Sequence, residues 1–461
     1  MNRPSFLLIV TLISMGYTGC VQDVRQRPAS NNPPGMDASG DVDVSEDTSG
    51  EDASSDSTTD PCVFSGSPCA DENCSGSVFV GSNQGGRFGA SLATHDDWLV
   101  VGAPGEGVVY VYNFRANNEG EKKWSRIHEL RSPSGPETTF GAQVAINEQW
   151  LVISEVPVER TSEDPKDVHY VSVAELGDEE SPPVLRTISA PNDAQLFGVS
   201  LALERDLLYV GHAKKEGGGS GCSSQECGAL LSYELTSNGL GQPVVNSSFT
   251  LGPDAGNYGA FGTSIAIGQG AIFVSSPRGD VMDERDTGFV SIFFESGPPE
   301  AVQIASETSA RKDRFGRTLA LGDGFLAVGA PATEVEDSEL KKPRVEFFEV
   351  RDPDAPVHVQ TGASGFGSSL SAYGSLTAIG SPDEGNGSVT LLSGALCPAV
   401  STQTFDAPTT GPARFEMYGY ALAQSDQWLV VGDPQAVSNV GRGEVETGAV
   451  HVIRLGNEVG L

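Results

Sequence analysis

The side chains able to do chemistry are scattered along this chain. The six histidines are His95, His128, His169, His212, His358 and His451. His358 and His451 alternate with valines, as packed or edge residues of strands do. No G-x-S-x-G elbow, H-E-x-x-H pair, phosphate loop or dinucleotide fingerprint is present. Asp and Glu number 62. Paired acids for glycoside chemistry are therefore available, but at this density acids also meet by accident. Apart from Cys20 there are six cysteines, Cys62, Cys69, Cys74, Cys222, Cys227 and Cys397. An even set fits disulfides in an exported chain, with the connectivity open. Cys222 and Cys227 flank Ser-Ser-Gln-Glu in a Gly-rich loop and are expected to pair. One of the crowded Cys62, Cys69 and Cys74 must then reach Cys397, and Cys62–Cys69 with Cys74–Cys397 is the expected arrangement. A zinc site would need Cys-x-x-Cys spacing or a nearby His. We expect no catalytic residues, no metal and no cofactor.

Charge narrows the partners. The chain of 461 residues has 28 Lys plus Arg and a net charge of −34. Without a basic excess to displace counterions, nucleic acid is excluded as a partner. Adhesion to anionic lipid through a polybasic patch is excluded on the same ground. With 56 Gly, 28 Pro and only 20% charged residues, the chain calls for many turns and short strands. Its length exceeds a typical domain of about 100–200 residues unless the fold is a large all-β one.

The first 19 residues read as an export signal. Arg3 gives the positive start, and Phe6 to Met15 is an apolar run too short to span a bilayer. Thr18-Gly19-Cys20 resembles the end of a bacterial lipoprotein signal, which implies that Cys20 becomes the lipidated N-terminus. The bilayer is then met through that lipid alone. Val21 stands where an inner-membrane retention signal has Asp, which points to the outer membrane. Residues 20–75 follow as a tether. Positions 21–75 carry 12 acidic and 2 basic residues and almost no large apolar ones, a composition that self-repels and cannot offset its ordering entropy.

The remaining 76–461 is built of repeats. Seven segments align, beginning at Phe88, Phe140, Phe197, Phe261, Phe315, Phe366 and Tyr418, with spacings of 52, 57, 64, 54, 51 and 52. Each opens with FGxSLA or a variant, in which Phe, the third residue and Leu are expected on one side, and Gly, Ser and Ala on the other. A short turn and a strand apolar on both faces follow, ended by Gly-Ala-Pro or a relic of it. A third strand alternates with aromatics, as in Val108 to Tyr112. A more polar fourth strand suits an outer edge. Four strands repeated every ~50 residues predict a seven-bladed β-propeller. The last unit lacks its fourth strand, and an orphan strand, Ser77 to Gly81, precedes the first. We expect that strand to close the ring by pairing with the last blade.

Phe88-Gly89 with Gly102-Ala103-Pro104, and Phe315-Gly316 with Gly329-Ala330-Pro331, resemble the FG-GAP repeats of the integrin α-subunit propeller, in a short bacterial form. The calcium-binding variant has Asp-x-Asp-x-Asp-Gly between its first two strands, which is missing here. The resemblance also implies that one face is built by the loops between second and third strands. These are short in blades 1 and 6 and long in blades 2 (158–168), 3 (214–228), 4 (278–288), 5 (332–343) and 7 (435–448). Such loops predict a non-catalytic recognition face for a protein or glycan. Its candidate residues are Glu159, Lys166, Lys214, Lys215, Arg278, Asp280, Arg285, Lys341, Lys342 and Arg442. A scaffold subunit of an outer-membrane complex is the alternative, and a polysaccharide-acting enzyme ranks behind both. Arg278-Gly279-Asp280 matches the tripeptide that integrins recognise, although an ordinary turn accounts for it equally well.

Overall fold

The computed structural model describes residues 76–116, 120–133, 139–155, 170–177, 181–190, 196–212, 228–237, 243–251, 259–281, 284–295, 301–307, 311–331, 342–397, 400–440 and 443–456. They form an all-β protein with no helix among the described residues. Each aligned repeat contributes an antiparallel sheet, and the sheets are arranged like blades. In the first repeat the strands Ser91–His95, Trp98–Ala103, Val108–Ala116 and Lys122–Arg131 pair in chain order. The next five repeats keep that order. In the seventh, Ala421–Gln424, Trp428–Asp433 and Ala449–Arg454 pair in sequence, and the fourth place is taken by Gly76–Val80. Val78 stands opposite His451 in this register.

The cores lie between sheets. The second strands Trp150–Glu155, Ala271–Ser276, Phe325–Ala330, Leu376–Ser381 and Trp428–Asp433 are buried along their whole length. Both faces of each are covered, so no polar alternation survives in their sequences. Seven apolar clusters result, each shared by two neighbouring sheets. Each takes the aromatic that opens one repeat. Phe140 sits with Val100 and Val109 of the preceding sheet, Phe315 with Phe273 and Val290, and Tyr418 with Ala378 and Val389. Phe88 packs with Trp428, Val430 and Val450 of the last sheet. The innermost strand of the seventh repeat also contacts that of the first.

The alternation predicted an unbroken strand through the opening dipeptide, but the dipeptide lies outside the inner strand in most repeats, and in the second and third it joins only across a register shift. Gly89 has φ +87°, and the residue before the aromatic is also left-handed, with φ 56° at Arg87 and 53° at Arg314. This twist turns the Phe away into the cluster while the third residue and the Leu still share a side. The Ser of the motif has a specific task. Ser91 Oγ donates to the carbonyl of Gly141 in the next repeat at 2.7 Å, and Ser200 to Gly262, Thr318 to Gly367 and Ser369 to Gly419 do the same. Where Gly-Ala-Pro has lost its glycine, the replacing Ser bonds within its own sheet. Ser154 Oγ accepts from the Gln143 amide at 3.0 Å, and Ser275 Oγ from Ser264 at 2.9 Å. The long segment of the seventh repeat holds one element the sequence did not announce. Val437–Val440 and Gly443–Glu446 pair with each other, and Ala413–Arg414 pairs with the former, as a small separate sheet.

Candidate functional site

The side chains that the opening motif leaves facing inward converge. The third residues of all seven repeats, Ala90, Ala142, Val199, Thr263, Arg317, Ser368 and Tyr420, line a single cavity of about 840 Å³. The Ser91, Ser200, Thr318 and Ser369 hydroxyls, on the same lining, are taken up by a carbonyl of the next repeat. Leu92, Leu201, Ile265, Leu319, Leu370 and Leu422 form an apolar part of the wall. Arg87, Asp383 and Met417 are also on the lining. The wall is about as polar as it is apolar, and the cavity's volume falls in the range of about 300–1,000 Å³ typical of small-molecule sites.

The charges in and around this cavity are not random. Enclosure pushes the Arg317 guanidinium below the usual arginine range, and nearby Arg314 and Arg278 add to this, while Tyr420 opposes it. Arg317 makes no side-chain hydrogen bond or ion pair among the described residues. At the turn ends of the same inner strands the sign reverses. The Tyr373 phenol is pushed up by desolvation and then by Asp426, Asp96 and Asp323. Among the described residues no three His, Cys, Asp or Glu groups stand close enough to hold a metal ion.

The residues expected to form a recognition face fare differently. Glu159, Lys166, Lys214, Lys215, Lys341 and Arg442 lie outside the described residues. Arg278, Asp280 and Arg285 share one tight turn. The Gly279 amide donates to the Ser276 carbonyl, Asp280 Oδ1 accepts from the Asp286 amide at 3.0 Å, and the Lys312 amide donates to the Arg285 carbonyl. The Arg-Gly-Asp tripeptide is thus part of a turn whose carboxylate is engaged locally. Lys342 is exposed, just ahead of Arg344–Glu349. Cys397 is disulfide-bonded. Its partner and the other cysteines, Cys20 included, lie outside the described residues. Sequence reasoning passed over Arg317, Tyr420, Ser368 and Asp383. The available signal was the variable third position within an otherwise repeated motif.

No family model and no curated protein matches this chain. Among solved structures it is similar to Hsv2 of Kluyvelomyces marxianus, at 14% identity over 78% of this chain and 95% of that one, with a TM-score of 0.40. It is also similar to the polysaccharide lyase Uly1, at 13% identity over 79% and 90%, with a TM-score of 0.44. One of these neighbours is titled a polysaccharide lyase, and the expectation of a non-catalytic recognition face, or of a scaffold, is withdrawn, because a shared strand arrangement fixes no function.

Proposed function

We propose that this is an exported protein, lipid-anchored through Cys20 in the outer membrane, whose seven blades form a ring closed by Gly76–Val80 and hold a small polar ligand in the axial cavity. The observation that carries the reading is the convergence of the seven third-position side chains on that one cavity. The pairing of Val78 with His451 and the packing of Phe88 on the last sheet support the ring. The scaffold positions are small, glycine-dependent and repeated, whereas the third position ranges from Ala to Arg to Tyr. That is the pattern of a rigid frame presenting adjustable side chains.

The test is a thermal-shift screen of the full chain, as its Cys20→Ser variant, against mono- and disaccharides, sugar acids and amino acids. The same screen is run on Ala142→Trp, which would fill the cavity from its wall. Hits that vanish in Ala142→Trp support the reading. Hits that persist unchanged, or no hit on either protein, overturn it.

A further inference from the structure

The chemistry of the ligand follows from Arg317, and this step rests on the axial cavity being the ligand site. Two arginines of the fifth repeat make the contrast. Arg344 is saturated: Nη1 and Nη2 donate to both oxygens of Asp313 at 2.8 and 2.5 Å, Nε donates to Glu346 Oε1 at 2.6 Å, and Nη2 also reaches Ser306 Oγ. Arg317 has no such partner among the described residues. It is held in a cavity wall with Arg87 also on the lining and Arg314 and Arg278 close by. Asp and Glu exceed Lys and Arg by 34 in this chain. Holding the Arg317 guanidinium in this wall with no hydrogen-bonded carboxylate of its own among the described residues is a cost that a bound anion would offset.

The other polar groups restrict the anion. Tyr420 and Ser368 offer hydroxyls on the same lining, whereas the Thr263 hydroxyl donates to the Ala260 carbonyl at 2.7 Å. The Asp383 carboxylate, also on the lining, is acceptor-only when ionised. Asp383 would repel a dianion and would accept from ligand hydroxyls. A guanidinium fork matches one carboxylate bidentately. We propose that the cavity takes a small hydroxylated monocarboxylate, a sugar acid, with its carboxylate on Arg317 and its hydroxyls towards Asp383, Ser368 and Tyr420.

Calorimetric titration of the Cys20→Ser full chain with D-glucuronate, D-glucose, acetate and inorganic phosphate tests this. Glucuronate is expected to bind saturably, with glucose and acetate each weaker by roughly tenfold or more. Arg317→Met should weaken glucuronate roughly tenfold or more while leaving glucose unchanged, with Arg317→Lys intermediate. Arg115→Met, at an exposed position near the end of the third strand of the first sheet, controls for loss of net charge. Glucose binding as tightly as glucuronate, phosphate binding more tightly, an unaffected Arg317→Met, or no heat with any probe would each overturn the proposal. Glucose binding that Ala142→Trp abolishes would keep the cavity as a site and remove only the anion. Glucuronate binding that Ala142→Trp leaves intact would remove the cavity itself.

Discussion

Gly102 and Gly141 meet across two repeats with no room between them. A Cβ on Gly102 would lie 2.2 Å from the carbonyl oxygen of Gly141 and equally near Ser91 Oγ. The same oxygen accepts the Ser91 hydroxyl. Gly211 against Gly262, Gly380 against Gly419, and Gly432 against Gly89 repeat the relationship. The two halves of the motif, some dozen residues apart in each repeat, are thus donor and socket of one joint between neighbouring sheets.

Gly102→Ala should therefore destabilise by about 2–4 kcal/mol, since backbone must shift to admit the methyl group. Ser91→Ala should cost about 1 kcal/mol through the lost hydrogen bond. Gly177→Ala, where nothing lies within 4 Å, should be neutral. Denaturant unfolding of the three variants checks the order, and a neutral Gly102→Ala would refute the joint.

His451 gives the protein an acid sensitivity of known sign. Burial lowers its pKa from 6.5 to about 4, with Nδ1 2.9 Å from the Tyr418 hydroxyl. Because the folded form resists protonation, stability is full above about pH 6.5 and is lost as pH falls towards 4, by about 3 kcal/mol in all. His451→Phe should lower stability at pH 7, where Tyr418 loses its partner. It should also flatten the fall between pH 7 and 4. Melting temperatures across that range measure both effects.

The Arg344 cluster predicts the opposite slope. Arg344→Met leaves Asp313 and Glu346, exposed by only 1% and 2%, as buried acids without their cation. A loss of about 3–5 kcal/mol at pH 7 is expected. Both carboxyls would then have raised folded pKa values, so the variant should gain stability relative to wild type as pH falls. Chemical unfolding at pH 7 and pH 5 would show this narrowing, and a constant gap would contradict it.

Lipidation has a direct readout. Expressed with its signal, the chain should enter the detergent phase of a Triton X-114 separation, and Cys20→Ser should stay in the aqueous phase. Equal partition of the two would end the proposal of a Cys20 anchor.

Much of the fold was legible because the repeat makes seven independent copies of one pattern, and a pattern apolar on both faces can only be an inner strand. The place of Gly76–Val80 was legible for a similar reason, because one unit lacked a strand and one strand lacked a unit. The direction of Phe88 was not, since alternation assumes unbroken extended backbone, and Gly89 and Arg87 both leave it. The Ser154 and Ser275 exchanges look like decay of the motif in the sequence, whereas each hydroxyl accepts an amide of the inner strand of its own sheet. The cavity was missed because attention went to long loops. Arg317 gains meaning only from being brought near Tyr420 and onto one lining with Arg87, both distant in the chain.

The pairing of Val78 with His451 has a consequence for how the molecule is made. These partners stand 373 positions apart (451 less 78), so the pairing waits until everything between them has been made. Contacts that distant slow folding, because loop-closure entropy must be met before they contribute. Until then the strand Ala449–Arg454 presents a free edge, open to the strands of other copies. A chain crossing a membrane before it folds would carry that edge to the far side, so the interval between arrival and pairing is when holdase chaperones would matter most.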